Sequence, residues 1–290
     1  MTTTAPTADA TATRVALWRA LHRETDEPPL VFDDHVALEL ANPEPTWRNR
    51  GDMGPATARA RASIVARARL AEDIVEAKSR DGIEQYVVLG AGLDTFAQRR
   101  TDLTKTLTVF EVDRPDTQRW KRSRLAELGL DSTEQTFVPV DFDHGENWWT
   151  KLEESGFDPR RGAVFVSLGV SMYLTAQANS KTFEYIGSGS NSAFVVSFQV
   201  PSDMVEPSER HTHQSVKRGA QQGGSPWQSA YRPEDLVALA TKCGFGSVEH
   251  VSPEDLRQTY FCSRPDSLMP SSIEHLLIAD ESGRRDGSAS

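Results

Sequence analysis

Two periods of apolar residues run along this chain. Short β-branched runs bounded by Gly, Pro, Asn or charged residues predict strands over about 84–89, 108–112, 136–140, 163–167, 193–200, 247–251 and 259–263. Elsewhere the apolar positions recur at helical spacing. Ile64, Ala68, Ala71, Ile74 and Val75 share one face of a helix that would feed the first strand. Residues 116–128 predict a helix stopped by Gly129, and Thr175 offers a hydroxyl to cap the start of another. A long polar helical stretch, 202–222, follows the fifth strand, and a helix over 233–243, stopped by Gly244, precedes the last two strands. Helices and strands alternate through the first five strands, which predicts an α/β fold with a mainly parallel sheet covered on both faces. The short spacing of the last two strands permits an antiparallel finish.

Residues 14–80 read as helices around a Pro/Asn/Gly-rich region, 42–55, and no repeat or linker divides the chain. One domain over 14–280 follows, with a helical cap at 14–80, a core at 81–280 and an insert at 202–230. The Thr/Ala-rich 1–13 predicts a disordered start without a signal-peptide pattern, and the polar 281–290 a loose end.

The run Gln85 to Thr95 carries the clearest chemistry. An apolar strand enters the turn Gly90-Ala91-Gly92, and an acidic patch, Phe110-Glu111-Val112-Asp113, closes the next apolar run. Glycines let a backbone approach a ligand where a Cβ would collide. An acid at the end of the second strand can accept both hydrogen bonds of a ribose diol. A dinucleotide fingerprint needs a third glycine where this chain has Thr95, and Asp94 inside the turn would repel a pyrophosphate. A nicotinamide-dependent dehydrogenase is therefore disfavoured. An adenosine-bearing ligand with positive charge fits better, and S-adenosyl-L-methionine (SAM) is such a ligand.

Charge and composition narrow the partners. The net charge of −10 disfavours a nucleic-acid backbone. The basic clusters around Arg59, Arg61, Arg67 and Arg69, and around Arg119, Lys121, Arg122 and Arg124, alternate with acids and read mostly as solvated faces. The two cysteines, Cys243 and Cys262, have neither disulfide nor zinc spacing, which suits a cytoplasmic protein with reduced thiols and no metal site. No apolar stretch reaches membrane-spanning length.

Several ordered motifs, spread from about residue 59 to 279, resemble the leucine carboxyl methyltransferase-like family of class I SAM-dependent O-methyltransferases, in its actinobacterial small-molecule branch. They are Leu89-Gly90-Ala91-Gly92-Leu93-Asp94-Thr95 with Arg99-Arg100; Phe110 to Pro115; Val140-Asp141-Phe142; and Ser167 to Thr175. Ser225-Pro226-Trp227 with Arg232 to Leu236, and Gln258 to Phe261, fit as well. The resemblance implies a Rossmann-like seven-stranded sheet and SAM as cofactor, with S-adenosyl-L-homocysteine as product. It gives Asp113 the ribose hydroxyls, Asp141 and Phe142 the adenine, and Arg67 the SAM carboxylate. Glu111, two residues before Asp113, is a secondary candidate. Gly90, Ala91, Gly92 and Ser167 complete the cofactor set. Eukaryotic protein-phosphatase methyltransferases carry a glutamate where this chain has Leu168, which argues against a protein-phosphatase tail as substrate.

The expected reaction is methyl transfer to a carboxylate or hydroxyl of a small molecule, in secondary metabolism. A carboxylate is already ionised and needs no base, whereas a phenol or alcohol benefits from one. His211 and His213 in the insert, and Tyr173, are the candidate bases. Trp227, Tyr231, Tyr260 and Phe261 are candidate walls of the acceptor pocket. Trp148 and Trp149 are expected to anchor a helix to the core. The chain is expected to be a monomer or homodimer. The alternative is a SAM-binding sensor or structural subunit without turnover.

Overall fold

A computed structural model describes residues 9–141 and 145–281. Seven strands form one sheet in the order β3-β2-β1-β4-β5-β7-β6. These are β1 (Gln85–Leu89), β2 (Thr108–Asp113), β3 (Gln135–Pro139), β4 (Ala163–Ser167), β5 (Ala193–Gln199), β6 (Ser247–Val251) and β7 (Glu274–Asp280). The first five pair in parallel, and β7 runs antiparallel between β5 and β6. The helices are α1 (Ala10–Thr25), α2 (Ala37–Ala41), α3 (Ala58–Arg80), α4 (Phe96–Arg99), α5 (Pro115–Leu128), α6 (Trp148–Glu154), α7 (Ala176–Gly187), α8 (Arg210–Gln222), α9 (Pro233–Lys242) and α10 (Pro253–Tyr260).

Strand periodicity builds both faces of the core. In β1 and β4, Val87, Leu89, Ala163 and Phe165 point to one face; Tyr86, Val88, Val164 and Val166 point to the other. On the first face Trp149 stacks on Phe165 and Tyr185, and Trp148 meets Phe165 edge-on, so both tryptophans fasten α6 to the sheet. The second face is covered by α3 and α10 residues such as Val65, Val75 and Leu256. A third cluster joins α1 and α2 to Leu93 after the glycine turn and to Leu125 on α5.

Three expectations are corrected. Residues 259–263 do not form a strand. Ser252 caps α10 through a capping box with Asp255, and that helix runs through Tyr260. The seventh strand lies later, at β7. Residues 9–13 are not a loose start either: the Asp9 carboxylate accepts from the Thr11 and Ala12 amides, both at 2.9 Å, and α1 begins at Ala10. Residues 1–8 and 282–290 lie outside the described residues, but Glu281 is buried and accepts from the Ser192 amide at 3.1 Å. Finally, Arg61, Arg67 and Lys121 are not on solvated faces. They are buried and paired with Asp26, Glu274 and Glu111.

Candidate functional site

Strand order reverses between β1 and β4, whose crossovers lead to opposite sides of the sheet, and a crevice opens at their C-terminal ends. A cavity of about 410 Å³ fills it, within the range of small-ligand sites. The glycine turn forms its floor. Gly90 has φ of 70° and its amide donates to Val112 O at 2.8 Å, so the turn hangs from the end of β2. A Cβ on Gly90 would sit 2.4 Å from Val170 Cγ2, and one on Gly92 would sit 3.1 Å from Ala12 Cβ on α1. Bare backbone is therefore required by packing as well as by dihedral.

Asp113 ends β2 at the cavity. Its Oδ2 accepts from the Gly92 amide at 2.5 Å and its Oδ1 from the Arg114 amide at 2.6 Å. Burial raises its carboxyl above the ordinary range, although both backbone donors oppose this. A carboxylate has lone pairs beyond these two bonds, so it can still accept from a diol. Arg67, on α3, also lines the cavity. Its Nη1 donates to Glu274 Oε1 on β7, and its guanidinium lies against Gly169, where a Cβ would come within 2.7 Å of Nη2. Gly90, Ala91, Gly92, Ser167 and Tyr173 line the same cavity.

Other candidates lie elsewhere. Glu111 does not reach the cavity. It sits two residues before Asp113 on β2, on the same side of the strand, but its side chain is enclosed, with Oε2 accepting from Lys121 Nζ at 2.6 Å and Oε1 from Gln135 Nε2 at 2.7 Å. Burial, against the Lys121 charge, pushes its carboxyl up to about 7. Asp141 follows β3, its amide donating to Glu146 Oε2 at 2.7 Å; it does not line the cavity wall. Phe142 lies outside the described residues. His211 is exposed on α8, and His213 is buried in a different hollow together with Trp227. From the insert only Ser225 reaches the cavity, so 202–222 does not roof it. Tyr231 packs on the core and its hydroxyl accepts from Asn179 Nδ2 at 3.0 Å. Tyr260 donates to Asp73 at 2.8 Å, and Phe261 is buried in the second core face. None of these four aromatics is a cavity wall.

The aromatic residues of the wall are instead Phe32, Tyr86, Trp148, Tyr173, Phe183 and Phe194, and Asn179 and Thr182 are among its polar groups. Beneath the turn lies an ion network with no local sequence signature. Asp34 accepts from Arg19 Nε at 2.7 Å and from Thr95 Oγ1 at 2.8 Å, and Arg99 bridges Thr95 and Glu72. Burial of Asp34 opposes its ionisation, but the Arg19 and Arg99 guanidiniums hold its carboxyl below the ordinary range. Thr95, the residue that breaks a dinucleotide fingerprint, is thus a buried link between the cap and the turn. The start of α1, with Asp9, Thr11, Ala12 and Val15 on the cavity wall, is the second feature missed.

Fold and cavity together define a class I SAM-dependent methyltransferase. The chain belongs to the leucine carboxyl methyltransferase family, whose profile matches residues 12–187. YktD of Bacillus subtilis (strain 168), named as a SAM-dependent methyltransferase, is 31% identical over 300 residues, covering 91% of this chain and 95% of its own. A Mycolicibacterium smegmatis protein named likewise is 32% identical over 197 residues, and that match spans 61% of each chain. Among solved structures, one from Thermobifida fusca, named as a methyltransferase, superposes with a TM-score of 0.57 at 17% identity, covering 92% of this chain and 93% of that one. SAM is the cofactor of this enzyme family, and the glycine turn, the acidic end of β2 and the buried arginine of α3 fit it.

Proposed function

We propose that this chain methylates an oxygen, of a carboxylate or hydroxyl, on a small apolar molecule. The observation that carries the reading is the composition of the cavity: Gly90, Asp113 and Arg67 share it with Trp148, Phe183 and Phe194. A polar half for the cofactor thus continues into an aromatic half suited to a flat or aliphatic acceptor.

In this reading Asp113 accepts from the ribose hydroxyls, and Arg67 presents the guanidinium donors not used by Glu274 to the cofactor carboxylate. The Gly90–Gly92 backbone and Ser167 lie beside the methionine portion. Bound SAM supplies an electrophilic methyl group. The chain's own residues align the acceptor oxygen behind that methyl and exclude water, which is where most of the acceleration of a displacement arises. An ionised carboxylate needs no deprotonation. For a hydroxyl acceptor, Tyr173 is the candidate on the cavity wall to take the proton.

Transfer of labelled methyl from SAM to a panel of apolar carboxylic acids and phenols tests this. Base-labile methyl ester as product identifies carboxylate methylation, and base-stable ether identifies hydroxyl methylation. Methylation found only on nitrogen or carbon acceptors would overturn the reading.

A further inference from the structure

The apolar lobe of the cavity is walled by Trp148, Phe183, Phe194 and Val196, with Asn179 and Thr182 on α7 as its polar groups. Sheet order keeps it clear of the ribose end. Asp113 ends β2, whereas Phe194 and Val196 lie on β5, three strands and about 14 Å across the sheet. We propose that this lobe takes the methyl acceptor as a neutral, hydroxyl-bearing apolar molecule and turns carboxylates away. The inference rests on the reading of the cavity as a site of oxygen methylation, and it chooses between the two acceptors that reading allows.

Partners fix the orientation of the Asn179 amide. Its Nδ2 donates to Ser171 O at 2.9 Å and to the Tyr231 hydroxyl at 3.0 Å, which engages both amide hydrogens. Ser171 belongs to the loop after β4 and Tyr231 to the segment before α9, so three parts of the chain set the aim of the side chain. Asn179 is 5% exposed, yet its Oδ1 has no donor among the described residues and keeps accessible surface. The residue lines the cavity, so this oxygen is offered to an occupant. Thr182 lies one helical turn on, on the same face. Its Oγ1 gives its single hydrogen to Ala178 O at 3.2 Å. Both polar groups of the lobe thus present lone pairs, and neither presents a hydrogen.

The cations of the cavity are elsewhere. Among the described residues, no lysine or histidine lines it. Arg19 is bound to Asp34 and Leu93 O, Arg99 to Glu72 and Thr95, and Arg67 to Glu274. Arg67 comes from α3, which covers the opposite face of the sheet from Phe183, Phe194 and Val196. Arg114 follows Asp113 at the ribose end. A carboxylate in the lobe would lose its water and meet two lone-pair oxygens without a counter-ion. An alcohol or phenol loses far less hydration and donates its hydrogen to Asn179 Oδ1 or Thr182 Oγ1.

Transfer to such a hydroxyl forms an O–C bond as the methyl–sulfur bond breaks, leaves that electron pair on sulfur and gives a neutral ether. The hydroxyl proton leaves for solvent by way of Tyr173, the cavity hydroxyl already assigned to take it.

The test is an NMR titration of the full chain, saturated with S-adenosylhomocysteine and ¹⁵N-labelled at tryptophan. The Trp148 indole signal, assigned by its loss in Trp148→Phe, reports on the lobe. Matched pairs are the probes: cyclohexanol with cyclohexanecarboxylate, phenol with benzoate, and 2-naphthol with 2-naphthoate. The lobe as proposed gives a saturable Trp148 shift with at least one hydroxyl probe below about 10 mM, and the carboxylate partner binds about tenfold more weakly or worse. Thr182→Val keeps the shape and removes one lone-pair group. It should weaken the hydroxyl probe about three- to tenfold and leave affinity for S-adenosylhomocysteine unchanged. No saturable shift with any hydroxyl probe, a carboxylate bound as tightly as its partner, or a Thr182→Val titration like the native one overturns the inference. Labelled methyl transfer separates this failure from that of the broader reading. Ester formed in preference to ether overturns the hydroxyl assignment alone, whereas methylation confined to nitrogen or carbon overturns oxygen methylation itself.

Discussion

Asp113 and Gly92 are joined by a 2.5 Å hydrogen bond from backbone amide to carboxylate, which locks the glycine turn of β1 to the end of β2. The same carboxylate accepts from Arg114 N, so the chain fixes its position before any ligand arrives. Pre-positioning of this kind concentrates the function of the site in a single side chain. Asp113→Asn keeps the shape and one acceptor oxygen but removes the charge. Calorimetry with S-adenosylhomocysteine should show affinity lowered about ten- to a hundredfold, the loss typical of hydrogen bonds to a charged group at about 1.5–3 kcal/mol. Because burial raises the Asp113 carboxyl above its ordinary value of 3.8, affinity should fall with acidification already above that pH. This acid limb should be missing in Asp113→Asn. An unchanged affinity in the variant would remove Asp113 from the site.

Gly90 and Val170 meet across the cavity floor, where β1 faces the loop after β4. A Cβ at Gly90 would approach Val170 Cγ2 to 2.4 Å at a φ of 70°. Gly90→Ala should therefore destabilise the fold by about 1–3 kcal/mol through overpacking, measured by denaturant midpoint. Val170→Ala removes the colliding methyl groups, so the double variant should recover part of the loss. The backbone penalty of a left-handed alanine should persist. Strict additivity of the two substitutions would show that the contact is not the cause.

The sheet was largely readable because its strands are apolar runs of length and composition that no surface helix would carry. Val87-Val88-Leu89 and Val164-Phe165-Val166 are buried on both faces and have no alternative pattern. The seventh strand was misplaced for a physical reason. Thr259-Tyr260-Phe261 has strand-like side chains, but the Ser252 capping box and Pro253 start a helix that carries them along. In β7 the polar Glu274 and His275 disguise the apolar run Leu276-Leu277-Ile278. The glycine turn and Asp113 were legible because they are local. The partner of Arg67 is Glu274, 207 residues away, and the aromatic wall residues Trp148, Phe183 and Phe194 come from α6, α7 and β5. Those juxtapositions depend on tertiary packing. The same holds for Glu111: its spacing from Asp113 puts both on one side of β2, but its enclosure by Lys121 and Gln135 is not visible in the sequence.

Glu111 and Lys121 form an ion pair with both side chains 1% exposed. Removal of either partner alone leaves an uncompensated buried charge. Lys121→Met and Glu111→Leu should each cost about 3–5 kcal/mol, whereas the double replacement should be close to neutral or stabilising. The pair also sets a pH dependence. Glu111 is raised from 4.5 to about 7, so the folded state holds a proton that the unfolded chain has already lost. Its contribution to stability is full below about 4.5 and is lost as pH rises through about 7. Chemical denaturation across that window should show the fall in the native chain and a flatter profile in the double variant. Single variants as stable as the native chain would mean that the pair is solvated in solution.

Arg67 and Gly169 provide the sharpest test of the cofactor end. Gly169 has φ of 73°, and a Cβ there would press to 2.7 Å from Nη2 and 3.1 Å from Nη1 of Arg67. The guanidinium is already anchored on its other side by Glu274, so it has little room to yield without losing its aim. Gly169→Ala should therefore act as an indirect Arg67 variant. Arg67→Lys keeps the charge but loses the planar fork. Both substitutions should raise KM for SAM about tenfold with kcat less affected, the pattern of lost binding common to ground and transition states. Since both act on one guanidinium, the double variant should be little worse than Arg67→Lys alone. Multiplicative losses in the double variant would separate the two residues. An unchanged KM in Arg67→Lys would assign Arg67 to structure alone, as the buried partner of Glu274.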